Sequence, residues 1–183
     1  MKNAKANRDN AVLIVVDFQE RLLPAIKNGD EICATAAKLI RGARILDVPV
    51  LATEQYPKGL GPTVPSIAEV LGDTQPITKT SFSVMGEPFF AEVFNELGRS
   101  DVILCGIEAH VCVEQTALDL ISEGYNVFII EDAIGSRSNN DKKYAGRRMV
   151  EAGCIGTTYE AILFEMLGGA EAHGFKEISK LVK

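Results

Sequence analysis

Short apolar runs punctuate the chain at intervals, and stretches of helical periodicity separate them. Residues 12–16, 48–53, 76–78, 102–105, 127–130 and 154–157 form β-branched runs, most of them near-continuously apolar rather than alternating. Strands covered on both faces read this way, so the runs predict a parallel sheet. Between them, Ile32, Ala36, Leu39, Ile40, Ala43 and Leu46 recur at helical spacing, with Pro49 soon after. Val113, Ala117, Leu120 and Ile121 make a second stripe, stopped by Gly124. Residues 88–97, 141–152 and 158–167 predict three further helices. Thr157-Thr158-Tyr159-Glu160 is a capping-box pattern for the last of them. Strand–helix alternation implies right-handed crossovers. The expected fold is a single-domain α/β structure: three layers, doubly wound around a six-stranded, mostly parallel sheet, spanning residues 11–183 behind a polar, flexible tail at 1–10.

One stretch has no regular period. Residues 54–66 hold three of the seven prolines and two glycines, and they follow a predicted strand. They therefore sit at the carboxyl edge of the sheet, where open α/β folds bind ligands. The segment reads either as a plain surface loop or as one that covers substrate or touches another subunit. The 183 residues fill one domain, and a composition 46% hydrophobic and 24% charged is globular. A net charge of −6 argues against a fold-wide basic footprint for nucleic acid or anionic lipid. The first apolar run stops at Asp17 after six residues, too short for a membrane span or a secretory core. A soluble, cytoplasmic protein without membrane or nucleic-acid partners is expected.

The cysteines are Cys33, Cys105, Cys112 and Cys154, and the histidines are His110 and His173. With no CxxC pair and no Cys/His cluster, this inventory does not compose a four-ligand zinc site, and no metal or cofactor is expected. A chain of this size also needs no disulfide framework. Three reactive residues stand at or just past strand ends: Asp17, Lys79 and Cys112. The topology brings all three to one edge of the sheet, where neighbouring strands lie about 5 Å apart. A cysteine at a helix N-terminus feels the positive end of the helix dipole, and a lysine beside it further favours thiolate. Asp17 is placed to take the thiol proton and return it to a leaving group. Amide N–H groups of the first helical turn are free to hold an oxyanion. Singly, each residue also has a plain structural role: Asp17 as a helix cap, Lys79 as a surface lysine, and Cys33, Cys105 and Cys154 as core fillers. His110 reads as a polar residue at the lip of the site.

The segments Val15-Val16-Asp17-Phe18-Gln19, Thr78-Lys79 and Gly106-Ile107-Glu108-Ala109-His110-Val111-Cys112-Val113 resemble the isochorismatase-like cysteine hydrolase superfamily, across nearly all of residues 11–183. Glu131-Asp132-Ala133, Ser136-Arg137 and Thr157-Thr158 look like further family segments. Thr53-Glu54-Gln55-Tyr56-Pro57 with Gly59-Leu60-Gly61 resembles the isochorismatase-domain-containing branch. The resemblance implies Cys112 as nucleophile, Asp17 as general acid and base, and Lys79 as thiolate stabiliser. It implies a cis peptide between Ile107 and Glu108, which would turn the Glu108 N–H toward an oxyanion beside the Cys112 N–H. It also implies a homo-oligomer. Nicotinamidases of this superfamily hold a metal through histidines after the second strand, where this chain has none. Cys112 favours C–N bond hydrolysis of a small-molecule substrate, with Phe18, Gln55, Tyr56, Phe82 and His110 lining the pocket. Vinyl ether or ester hydrolysis led by Asp17 is one alternative, and a binding or scaffold protein with a vestigial site is another.

Overall fold

The computed structural model describes residues 4–183. Among the described residues there are six strands: β1 (Ala11–Val16), β2 (Val50–Gln55), β3 (Ile77–Lys79), β4 (Asp101–Ile107), β5 (Asn126–Gly135) and β6 (Ile155–Thr157). They form one sheet in the order β3-β2-β1-β4-β5-β6, and every pairing is parallel. All six predicted runs are strands. After β1 the chain winds outward through β2 and β3, returns, and winds the other way through β4, β5 and β6. The reversal puts the topological switch point between β1 and β4, where such sheets open a crevice at their carboxyl ends.

The helices are α1 (Gly29–Ile45), α2 (Pro57–Leu60), α3 (Pro65–Leu71), α4 (Pro88–Glu96), α5 (Glu114–Ser122), α6 (Asn139–Glu151), α7 (Tyr159–Leu167) and α8 (Phe175–Leu181). Strand side chains alternate between two faces, and the core divides accordingly. Leu13, Val15, Ile103, Cys105, Phe128 and Ile130 pack with Ile32, Ala36, Leu39 and Ile40 of α1 and with Ile162 and Leu163 of α7. Val12, Ile14, Val16, Val102, Leu104, Val127 and Ile129 pack with Phe90 and Phe94 of α4, Ala117 and Leu120 of α5, and Met149 of α6. This two-sided burial explains the unbroken apolar runs. Small residues let α1 approach α7: a Cβ on Gly42 would lie 2.5 Å from a Leu163 methyl.

The structure departs from the sequence reading in several places. Thr158, not Thr157, caps α7, and its hydroxyl accepts from the Ala161 N–H. Glu160 therefore falls in the first turn and closes no capping box with Thr157. The aperiodic stretch is structured: β2 runs on through Gln55, α2 follows, and α3 begins at Pro65. Val64, Glu20 and Arg21 N–H groups donate to Phe18, Pro62 and Leu60 carbonyls, tying this stretch to the segment after β1. Of the tail expected at 1–10, residues 1–3 lie outside the described residues. Ala6 is buried, its N–H donates to Glu165 Oε1 at 2.7 Å, and that of Asn7 donates to Asp101 Oδ2 at 2.9 Å. No helix among the described residues is long and apolar enough to cross a membrane.

Gly106 sets the spacing at the switch point. Its φ is +143°, and a Cβ there would lie 2.3 Å from the Val16 carbonyl oxygen, one residue before Asp17. Gly106→Ala combines backbone strain with overpacking and should cost about 2–4 kcal/mol. Chemical denaturation measures this, and a loss under about 0.5 kcal/mol, the range of neutral surface changes, would contradict the tight approach of β4 to β1.

Candidate active site

β1 ends at Val16, and Asp17 turns the chain with φ +54°, a left-handed conformation that Asp tolerates better than most residues. Its N–H donates to the Thr53 carbonyl at 3.2 Å, and its own carbonyl accepts from the Gln19 N–H at 2.8 Å. The turn drives the carboxylate inward, where its side chain is fully buried. Both oxygens are engaged: the Thr53 hydroxyl donates to Oδ1 at 2.7 Å, and Lys79 Nζ donates to Oδ2 at 2.8 Å.

Lys79 reaches Asp17 from a distance. It is the last residue of β3, and β2 lies between it and β1. Only a long side chain crosses that intervening strand, about 5 Å wide on each side. The ammonium is buried and donates also to Gln55 Oε1 at 2.7 Å, the Phe82 carbonyl at 3.1 Å and the Ser81 carbonyl at 3.2 Å. An unpaired charge buried this deeply is strongly unfavourable, and a matched pair with its remaining hydrogen bonds satisfied offsets the desolvation.

Cys112 completes the group from the far side of the switch point. The Ile107–Glu108 peptide at the end of β4 is cis. The chain then forms a π-helical turn, Ala109–Val113, whose start is held by Val111 and Val113 N–H groups donating to the Glu108 carbonyl. This turn carries Cys112 into the interior, where its thiol interacts with both Asp17 and Lys79. Burial, and after it the Asp17 charge, push the thiol up to about 12, and Lys79 opposes them only in part. Burial thus acts against the thiolate that helix-terminus reasoning from the sequence favours. Desolvation of the charged form is the reason. A thiol beside a carboxylate has a proton acceptor at hand.

The other predicted residues divide. Gln55 is on the ammonium, and the Phe82 carbonyl is on it too, with Phe82 as a residue 51% exposed. The Tyr56 N–H donates to the Lys79 carbonyl at 2.9 Å, and the residue is 55% exposed. The half-buried His110 pairs through Nδ1 with the Ser136 hydroxyl at 3.0 Å. The Glu108 carboxylate accepts from Arg137 Nε at 2.7 Å. Phe18 does not join them: it is 1% exposed and packed in the core with Val64 and Ile67, so its ring is a packing element. Cys33, Cys105 and Cys154 are buried; burial raises the Cys33 and Cys105 thiols, and Cys33 Sγ lies 3.2 Å from the Ser66 hydroxyl. Among the described residues no group of three or more His, Cys, Asp or Glu side chains is arranged to hold a metal ion. Sequence reasoning missed Thr53 and Gln19. The available signal was a polar residue inside or just beyond an apolar strand, Thr53 pairing with Val16 across β2 and β1.

Comparison with known proteins identifies the family and the fold. A profile of the family described as "Isochorismatase domain" matches residues 11–161. "Isochorismatase domain-containing protein 2" of Xenopus laevis is 39% identical over 178 residues, covering 97% of this chain and 86% of that protein. The structure of a protein described as MAR1 ribonuclease from Caenorhabditis elegans superposes with a TM-score of 0.92 at 45% identity, covering 97% of this chain and 92% of that one. The YcaC protein of Escherichia coli, described as an octameric hydrolase of unknown specificity, shares the fold with a TM-score of 0.91 at 23% identity, covering 99% and 92% of the two chains.

The thiol's environment has a testable sign. Burial and Asp17 raise the thiol and Lys79 lowers it, so Asp17→Asn removes one of the two raising influences and leaves Lys79 opposed by burial alone. Iodoacetamide labelling of Cys112 at pH 8, followed by mass spectrometry, should be about tenfold or more faster in Asp17→Asn than in the wild type, as expected for a fall of one pKa unit or more. Unchanged or slower labelling would contradict the contact between sulfur and carboxylate.

Proposed function

Because the chain belongs to the isochorismatase domain family of hydrolases, we propose that it is a metal-independent cysteine hydrolase that cleaves a small amide or related C–N bond through a covalent Cys112 intermediate. The observation that carries this reading is the thiol of Cys112 set against a carboxylate already held by an ammonium and a hydroxyl. Asp17 accepts the thiol proton as the sulfur bonds to the substrate carbonyl carbon. The carbonyl electrons move to oxygen, and the oxyanion is held by the Glu108 and Cys112 N–H groups. Each such donor lowers a barrier by about 3 kcal/mol. When the tetrahedral species collapses, the C–N bond breaks and Asp17 gives its proton to the departing amine. Water then attacks the thioester, passing a proton to Asp17. The C–S bond breaks, and the sulfur recovers that proton. Lys79 keeps its charge throughout and stabilises the transient thiolate. Gln55, Tyr56, Phe82 and His110 surround the approach.

Metal independence is supported by the donor set at the end of β2, where Glu54, Gln55 and then Tyr56 stand and no histidine does. Association into a homo-oligomer is supported by the exposed aromatic residues Tyr56, Phe82 and Phe89, at 55%, 51% and 58%. A second reading, cleavage of RNA, is favoured by the description of the 45% identical C. elegans structure. The net charge of −6 runs against it, because RNA binding draws much of its affinity from phosphate neutralisation.

The test is a panel of amides, carbamates and ureides assayed for ammonia or amine release, with an RNA substrate in parallel. A substrate turned over by the wild type should lose activity by about 10⁴-fold or more in Cys112→Ala, as expected for loss of a nucleophile. Intact mass should show an acyl adduct on Cys112. Equal turnover by both proteins would refute the nucleophile, and RNA cleavage without amide turnover would favour the second reading.

A further inference from the structure

Gln19 is fully buried yet polar, and the proposed chemistry gives it no part. Its side-chain amide has two donors, and both are used: Nε2 donates to the Gln55 carbonyl at 3.0 Å and to the Gly61 carbonyl at 2.7 Å. Its Oε1 accepts from the Gln55 N–H at 2.7 Å. One side chain thus grips both main-chain groups of one residue. The sheet register explains why this is needed. β1 pairs with β2 only as far as Val16 opposite Thr53, while β2 continues to Gln55 opposite Lys79 of β3. Beyond Thr53, β2 has lost its β1 neighbour, and the amide of Gln19 supplies the donor and acceptor that another strand would have offered. The backbone of Gln19 is tied to the same turn through the Asp17 carbonyl at 2.8 Å.

The grip on residue 55 reaches the ion pair. Gln55 Nε2 donates to the Thr80 carbonyl at 2.8 Å, which leaves Oε1 facing the Lys79 ammonium at 2.7 Å. That ammonium is the donor to Asp17 Oδ2. We propose that Gln19 is a positioning residue: acting through Gln55, it holds the Lys79 ammonium in register with Asp17 and the Cys112 sulfur. This deepens the hydrolase reading and rests on it for its consequence in turnover, but the arrangement has a readout of its own in the reactivity of Cys112.

The experiment compares Gln19→Met, Gln55→Leu and the double variant. Gln55→Leu leaves the main-chain grip intact and removes only the acceptor on Lys79. Cys112 alkylation by iodoacetamide at pH 9 is quantified by mass spectrometry, well below each variant's thermal midpoint. Displacing the ammonium withdraws the charge that favours thiolate, so each single variant should react about tenfold or more slowly, as expected for a thiol raised by one pKa unit or more. If Gln19 acts through Gln55, the double variant reacts no more slowly than Gln55→Leu alone. A merely structural glutamine would lower the midpoint of Gln19→Met and leave the alkylation rate at the wild-type value, and that result overturns the proposal. Additive effects in the double variant overturn it as well. Should Gln19→Met not fold, a wild-type rate in Gln55→Leu is sufficient to overturn it. Failure of the hydrolase reading shows separately, as substrate turnover that survives Cys112→Ala.

Discussion

The buried pair of Asp17 and Lys79 organises this molecule's carboxyl edge. Two opposite charges, withdrawn from water and 2.8 Å apart, are tolerable only where every remaining donor and acceptor is met. Thr53 meets the second carboxylate oxygen, and Gln55 with two main-chain carbonyls meets the ammonium. These partners come from β2 and from the chain just after β3, so the pair draws the ends of three neighbouring strands into one polar cluster beneath an otherwise apolar sheet. The same low dielectric that makes the pair costly in isolation makes its effect on a nearby sulfur large.

The fold explains how such distant residues meet. Doubly wound topology places β1 at the switch point, with β2 and β3 on one side and β4 on the other. Asp17 leaves the first strand, Lys79 spans β2 from the third, and Cys112 arrives on a π-helical turn after the fourth. The roles divide along these lines: the β1–β3 side carries charge and proton, and the β4 side carries the sulfur and the main-chain N–H groups of the proposed oxyanion site. Gly106 allows the two sides to approach, because any side chain there would strike the Val16 backbone.

Much of this was legible in the sequence, for a physical reason. A parallel strand buried on both faces leaves an apolar run, and all six runs proved to be strands, including the three-residue β3 and β6. The long amphipathic stripe of α1 was equally plain. The two-turn helix α3 was not, because its few apolar positions are crowded by Pro62, Pro65 and the glycines before them. Residues at or beyond strand ends, Asp17, Lys79 and Cys112, could be picked out by position. Thr53 and Gln19 could not be given their tasks, since which side chain faces an unpaired strand end depends on sheet register. The environment of Cys112 is hidden for a related reason: the helix terminus is visible in a sequence, and the burial that opposes it is not.

The account depends most directly on coupling between the two buried charges, which a double-mutant cycle in chemical denaturation measures. Lys79→Met alone leaves a buried carboxylate unpaired and should cost about 3–5 kcal/mol, with Asp17→Asn also destabilising. The double variant removes both charges and should be markedly more stable than the sum of the single losses predicts, by about 1 kcal/mol or more. Simple additivity, within about 0.5 kcal/mol, would mean that the two groups do not depend on each other, and would contradict the arrangement on which the site is built.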